Sequence, residues 1–82
     1  MIFISTLEVI PGKVKQLAEK AKKPKMIQGV IIKNILGVFG KPDIIIIFEA
    51  SSESMAAEFV FQFAEISQTK TQLVFPIKMI KE

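Results

Sequence analysis

The segment Ile44–Phe48 restricts the fold more than any other part of the sequence, because it contains four isoleucines and a phenylalanine and no polar residue. Successive side chains of a β-strand point to opposite faces of the sheet. A strand with one face in water normally alternates apolar and polar residues, so a strand that is apolar throughout needs burial on both faces. The sequence therefore predicts a sheet whose two faces are both covered by protein.

The hydrophobic pattern of the whole chain predicts six elements in the order β-α-β-β-α-β. Four strands are predicted, over Met1–Val9, Gly29–Phe39, Asp43–Ala50 and Thr69–Met79. Two helices are predicted, from Pro11 to Pro24 and from Glu53 to about Ser67. Right-handed crossovers then give a four-stranded antiparallel sheet with both helices on one face and the first and third strands in the centre. This is an α+β ferredoxin-like fold, with residues 1–82 as a single domain.

Local signals fix the ends of the helices. Pro11 suits the first turn of a helix, and Pro24 ends it. The apolar stripe predicted for this helix consists of Val14, Leu17, Ala18 and Ala21. Ser51 or Ser52 is the expected N-cap of the second helix. Glu53 lies in the first turn, where the helix dipole favours its negative charge.

Three further residues mark irregular points of the predicted strands. Gly37 is expected to be either a bulge of the second strand or a point where another part of the molecule approaches the backbone closely. Pro42 is placed second in the four-residue turn between the two middle strands. Pro76 identifies the last strand as an edge strand, because proline cannot donate a hydrogen bond to a neighbouring strand.

The open sheet face predicts self-association. The second helix supports this prediction, because its apolar residues cover about 240° of its circumference, whereas packing on one sheet needs an apolar arc of about 100°. Phe61 is therefore expected to pack on something beyond the domain's own sheet. Folding of the C-terminal segment Pro76–Glu82 over the open face is the alternative, but that segment is too short to cover four strands. A homodimer or higher homo-oligomer through the open sheet face is the simpler solution.

The composition excludes several classes of function. The sequence has no Cys, His, Trp, Tyr or Arg, which removes thiolate chemistry, imidazole bases and zinc-finger ligands. No catalytic residue, metal site or cofactor is therefore predicted. The net charge of +3 comes from lysines alone, as expected of a solvated helix face, and direct binding to nucleic acid is not expected. No segment is long enough for a membrane span, and we expect a soluble, cytoplasmic protein.

The isolated polar residues each have two interpretations. Lys33 interrupts an apolar strand and is either a buried amine with a shifted pKa or an ordinary lysine at a sheet edge. Ser5 and Asn34 either line a small cavity or have structural roles. Asp43 and Glu49 lie about 20 Å apart along one strand, which is too far for a catalytic pair or a shared metal.

Short motifs around the middle strands resemble the effector-binding domain of Lrp/AsnC-type regulators, often called the RAM domain. The resemblance is carried by the turn Gly40–Asp43, the strand Ile44–Ala50 and the run Thr69–Val74, which match a G-x-x-D turn and a T-x-T closing strand. GYD-domain proteins and a related group of stand-alone proteins are also similar. All belong to the dimeric α/β-barrel group, in which two ferredoxin-like sheets pack face to face.

The resemblance implies a small-molecule site, since RAM domains bind effectors, commonly amino acids, close to this turn between dimers. By this resemblance, Gly40, Asp43, Thr69 and Thr71 are the candidate ligand contacts. The alternative is that these four residues only build the turn and the assembly interface. The chain has no helix-turn-helix domain, and Pro42 replaces the usual aromatic residue of the turn.

Three functions follow as hypotheses. The first is a stand-alone module that binds a small metabolite and assembles with itself or with a regulator. The second is a small cofactor-independent monooxygenase-like enzyme of the same barrel group, for which only Asn34 is available as a polar group of the usual kind. The third is a structural or interaction subunit without a ligand. The composition favours a non-catalytic role.

Overall fold

The computed structural model describes residues 1–79 and confirms the β-α-β-β-α-β order. The strands are β1 (Ile2–Val9), β2 (Val30–Gly37), β3 (Ile44–Ala50) and β4 (Ser67–Val74). The helices are α1 (Val14–Lys22) and α2 (Glu53–Val60), and short 3₁₀ turns span Phe61–Phe63 and Ile77–Met79. The sheet has the order β2-β3-β1-β4 and all of its pairings are antiparallel, so the predicted ferredoxin-like α+β fold is confirmed.

The core lies between the sheet and the helices, and a row of phenylalanines joins them. Phe3 of β1 stacks on Phe48 of β3 with ring centroids 5.5 Å apart. Phe48 contacts Phe59 of α2 at 4.8 Å, and Phe59 meets Phe63 edge to face at 6.0 Å. Such aromatic pairs add to the stabilisation from area burial alone. The row therefore fixes α2 and the following turn over the centre of the sheet.

The second helix is shorter than predicted. It ends at Val60, continues as the 3₁₀ turn Phe61–Phe63, and gives way to β4 at Ser67. The Ser67 hydroxyl donates to the Phe63 carbonyl oxygen at 2.9 Å, which caps the end of the turn where the strand begins. The continuous apolar pattern up to Ile66 hid this end, because a buried turn and a buried helix need the same side chains.

The last strand differs from its prediction at both ends. It covers Ser67–Val74 rather than Thr69–Met79 and lies at the sheet edge, as predicted. Pro76 lies beyond the strand, so it does not mark the edge by occupying it. Of the segment Pro76–Glu82, residues 80–82 lie outside the described part of the chain.

The irregular point of β2 is also not where the sequence placed it. The register shift falls between Ile32 and Asn34, which makes Lys33 the bulged residue, whereas Gly37 is the last residue of the strand and pairs with Ile44. Lys33 is half exposed, and its Nζ lies 3.0 Å from Glu49 Oε2. The interpretation of Lys33 as an edge lysine is therefore confirmed, and that of a buried amine is wrong.

The two helices begin differently. Ser52 caps α2 as predicted, because its hydroxyl accepts a hydrogen bond from the Met55 N–H at 3.2 Å. The first helix begins at Val14, so Pro11 belongs to the preceding turn and not to the helix. Of the predicted apolar stripe of α1, Leu17 and Ala21 are buried, but Val14 and Ala18 are exposed. The helix therefore leaves part of the sheet beside it uncovered.

Candidate functional site

The turn between β2 and β3 is held to the end of β1 by Asp43. One carboxylate oxygen of Asp43, Oδ2, accepts a hydrogen bond from the Val9 N–H at 2.8 Å. The backbone N–H of Asp43 donates to the Leu7 carbonyl at 3.0 Å, and its own carbonyl accepts from the Val38 N–H at 2.9 Å. Asp43 therefore joins three segments of chain and has a clear structural role.

Gly40 lies at the exposed tip of the same turn. Its φ is +109°, a backbone conformation that residues with a Cβ adopt at a cost, and a Cβ built at this position would meet no atom within 4 Å. The peptide bond between Lys41 and Pro42 is cis. The glycine is thus required by backbone conformation and not by crowding, and its N–H and carbonyl groups lie at the surface.

A shallow apolar cavity lies beside this turn. It has a volume of about 290 Å³ and is lined by Gly37, Val38, Phe39 and Asp43. The Phe39 side chain is fully exposed. The second carboxylate oxygen of Asp43, Oδ1, accepts no hydrogen bond from residues 1–79, so it is free to contact a bound group. The cavity therefore offers apolar walls and one anionic acceptor.

The two threonines of the predicted site lie elsewhere. Thr69 and Thr71 are on the helix-facing side of β4, where they pair with Leu7 and Ser5 of β1. The Thr71 and Ser5 hydroxyls are 2.7 Å apart, and the Thr69 hydroxyl lies 2.9 Å from that of Ser67. Both threonines thus have hydrogen-bond partners within the fold.

Within one copy, the predicted site is divided into two pairs. Ile44, which follows Asp43, and Thr69 pair with Leu7 from opposite sides, so β1 separates them by about 10 Å. The structure brings Gly40 and Asp43 into one turn, and it brings Thr69 and Thr71 onto one strand face. It does not bring the two pairs together.

The remaining polar candidates do not form a site. Ser5 is fully buried and bonded to Thr71, which gives it a structural role. Asn34 is exposed and pairs with Ile47 on the face of the sheet that the helices leave open, so it does not line the interior between helices and sheet. Among residues 1–79, no cluster of three Asp, Glu, His or Cys side chains is placed to hold a metal.

The open face of the sheet is a second candidate surface. Its centre consists of four isoleucines on the two middle strands, namely Ile2, Ile4, Ile45 and Ile47. The Lys33–Glu49 ion pair and the β4 residues Gln68, Lys70 and Gln72 give this centre a polar border, and the exposed Ile31 and Leu36 extend its apolar area over β2. An apolar centre with polar residues at its border is the usual composition of a protein–protein interface.

The sequence did not indicate a groove between α1 and β2. It has a volume of about 390 Å³ and is lined mainly by small and aliphatic residues, namely Ala18, Ala21, Lys22, Ile35, Leu36, Gly37 and Ile44. The exposed Ala18 and the partly buried Ile44 also line a neighbouring cavity, which the exposed Val14 borders. The small side chains at Ala18 and Gly37 are the only signal of this space in the sequence.

Comparisons of the chain with protein families, with curated proteins and with solved structures find no match. No helix within residues 1–79 is long and apolar enough to cross a membrane.

Proposed function

We propose that the protein is a small-molecule-binding module that acts as a homo-oligomer. The open sheet face carries the homo-oligomer part of this proposal, because Ile2 is exposed and Ile4, Ile45 and Ile47 are only partly buried by residues 1–79. Complete burial of an isoleucine side chain stabilises a structure by about 1.5–3 kcal/mol. Packing this face against the same face of a second copy would bury both sets at once.

The cavity beside the β2–β3 turn supports a ligand of defined chemistry. Val38 and Phe39 provide apolar contact, and Asp43 Oδ1 provides an acceptor for an ammonium group. The exposed backbone of Gly40 would bind a carboxylate through its N–H. These groups fit an amino acid with an apolar side chain, in agreement with the resemblance to RAM domains. In this proposal Gly40 and Asp43 bind the ligand directly.

Thr69 and Thr71 are less available for contact with a ligand than Gly40 and Asp43. Their hydroxyls already bond to Ser67 and Ser5, so each would have to exchange a partner before it could bind a metabolite. This observation favours a second candidate function, a subunit that assembles without any ligand and uses these threonines only to hold β4 on β1. The enzyme hypothesis has no comparable support, because Asn34 lies exposed on the open face.

Isothermal titration calorimetry against the common amino acids tests the ligand proposal. We expect heat with an apolar amino acid, and binding weakened about tenfold or more in Asp43→Asn, equivalent to about 1.4 kcal/mol. Asn keeps an acceptor for the Val9 N–H but loses the negative charge. Glu53→Gln makes the same charge change at an exposed position after the far end of β3, away from the turn, and should bind as the unaltered protein does.

Absence of heat with every amino acid, from protein shown to be folded, would support the ligand-free subunit instead. Equal weakening in Asp43→Asn and Glu53→Gln would place the ligand away from the turn.

A further inference from the structure

The helix layer carries opposite charges on its two helices. Residues 13–25 contain six lysines and one glutamate, whereas residues 53–65 contain three glutamates and no lysine. The three glutamates, Glu53, Glu58 and Glu65, are all exposed. Within residues 1–79 the ion pairs are Lys33–Glu49 and Lys41–Glu8, so none of the helix-layer charges is paired inside the molecule. The layer is therefore basic on one side and acidic on the other.

The acidic side presents one large apolar side chain. Phe61, at the end of α2, is 77% exposed although it follows the buried Phe59 by only two residues. Ala57 and Glu58 precede it by four and three residues, and both are exposed, so all three share one side of the helix. We call this surface, formed by Ala57, Glu58 and Phe61, the α2 knob.

The basic side presents the matching cavity. The groove between α1 and β2 is lined by apolar residues and by Lys22, and it remains open because Ala18 and Gly37 are small. Lys15 lies seven residues before Lys22 and is also exposed, so both ammonium groups are on the Ala18 side of α1. The groove therefore combines an apolar floor with the Lys22 ammonium group in its lining, and Lys15 adds a second positive charge on the same side of α1.

We propose that the α2 knob of one copy docks into the α1–β2 groove of a second copy. Phe61 would fill the apolar groove, and Glu58 would approach Lys15 and Lys22. The opposite charges of the two surfaces select another copy of this chain as the occupant, because each copy carries both halves of the contact. Knob and groove are different surfaces, so the contact is heterologous and generates a closed ring or an open chain of copies.

This contact is separate from the open sheet face. The knob lies in the helix layer, and the groove opens at the β2 edge of the sheet, where Leu36 is its one lining residue on the open side. The four central isoleucines lie on β1 and β3. Both contacts can therefore form at the same time, and sheet-paired dimers would be linked into larger assemblies. Loss of one contact would leave the other intact, so the mass of the remaining assembly shows which of the two contacts has failed.

Two other occupants of the groove fit the structure less well. Phe39 is fully exposed, but it lies on the border of the turn cavity, and the nearby Asp43 already bonds to Val9. Asp43 is only partly exposed, whereas Glu58 beside Phe61 is exposed, so Phe39 brings no fully exposed carboxylate for the lysines. A polyanion such as nucleic acid would meet the lysines of α1 but would leave Phe61 and the apolar groove without a role.

Light scattering coupled to size exclusion tests the contact. At about 0.1 M salt, where the Debye length is about 10 Å, we expect species larger than twice the 9.2 kDa chain mass. At about 1 M salt, where the Debye length is about 3 Å, they should fall to the dimer or monomer. At about 0.1 M salt, Phe61→Ser should abolish the larger species, and Phe39→Ser, the matched control, should retain them.

Mixing two variants tests the heterologous geometry. Ala18→Glu blocks the groove but keeps the knob, and Phe61→Ser removes the knob but keeps the groove. Each alone should lack the larger species, and an equal mixture should regain an added contact, seen as an increase in mass. Gln16→Glu adds the same charge to the opposite side of α1, where Gln16 is exposed, and should assemble normally.

A mass that does not change with salt or with Phe61→Ser would overturn the proposal. So would a mixture that fails to associate while both variants have far-ultraviolet circular dichroism spectra like that of the unaltered protein. Larger species that form only when nucleic acid is added would show that the lysines serve a polyanion instead.

Discussion

The Asp43 carboxylate accepts the backbone N–H of Val9 at 2.8 Å, across 34 residues of chain. This bond ties the β2–β3 turn to the last residue of β1, and it uses one of the two carboxylate oxygens. The other oxygen accepts no hydrogen bond from residues 1–79, and Asp43 lines the cavity beside Phe39. Asp43 thus supports the fold and, in the proposed function, would also bind the ligand, and the two roles can be separated by mutation.

Asp43→Ala should destabilise the fold by about 1.5 kcal/mol, the lower end of the range for hydrogen bonds to charged groups, because the carboxylate is partly exposed. Asp43→Asn keeps an acceptor oxygen and should cost less. Urea denaturation monitored by circular dichroism measures both. Equal losses in the two variants would mean that the charge, and not the hydrogen bond to Val9, is what stabilises the turn.

Ser5 and Thr71 should be energetically coupled through the hydrogen bond between their hydroxyls. Ser5 is fully buried, so Thr71→Val leaves its hydroxyl without this partner and should cost about 1–3 kcal/mol. The double variant Ser5→Ala/Thr71→Val removes both hydroxyls and should be less destabilised than the sum of the single variants. A double-mutant cycle by urea denaturation gives the coupling, and strict additivity would mean that the 2.7 Å contact contributes nothing.

Gly29→Ala should destabilise the protein by about 1–3 kcal/mol. The φ of Gly29 is +89°, and a Cβ there would collide with the Met55 sulfur of α2. Gly37→Ala is the matched control, because Gly37 has no positive φ and a Cβ there would meet no atom within 4 Å. Thermal unfolding of both variants checks the prediction, and similar melting temperatures would contradict it.

Ile47→Lys should prevent association through the sheet face. It places a charge at the centre of the four isoleucines, where burial against a second copy would strand it without a partner. At about 1 M salt, light scattering should give a mass near 9.2 kDa for this variant and about twice that for the unaltered protein. Met26→Lys, at an exposed position in the loop after α1, should remain dimeric. A monomeric unaltered protein would remove the basis of the proposed sheet contact.

The elements that the sequence predicted well are those whose pattern has one interpretation. Alternation in Ile2–Val9 and the unbroken apolar run in β3 identified the two central strands, and the serines before Glu53 identified the start of α2. The end of α2 was missed, because Phe61, Phe63 and Ile66 suit a helix as well as a turn. The bulge was assigned to Gly37 instead of Lys33, because a bulge depends on register with the neighbouring strand.

The predicted site could be anticipated only in its local parts. Residues close in sequence, such as Gly40 and Asp43, share a turn for local reasons, whereas their distance from Thr69 depends on strand order. The partner of Asp43 is a backbone N–H, which no residue type reveals, and the groove beside Ala18 is a space between elements.

The sequence by itself determined the order of elements, the fold class and the apolar character of both faces of β3, because these follow from residue periodicity and short connections. Only the tertiary structure decided which polar groups meet, which cavities exist and which apolar side chains remain outside. Phe59 and Phe61 show the difference: they are the same residue type two positions apart, yet Phe59 is fully buried and Phe61 is 77% exposed. The direction in which the helix presents each side chain to the sheet sets that outcome, and it is a property of packing in three dimensions.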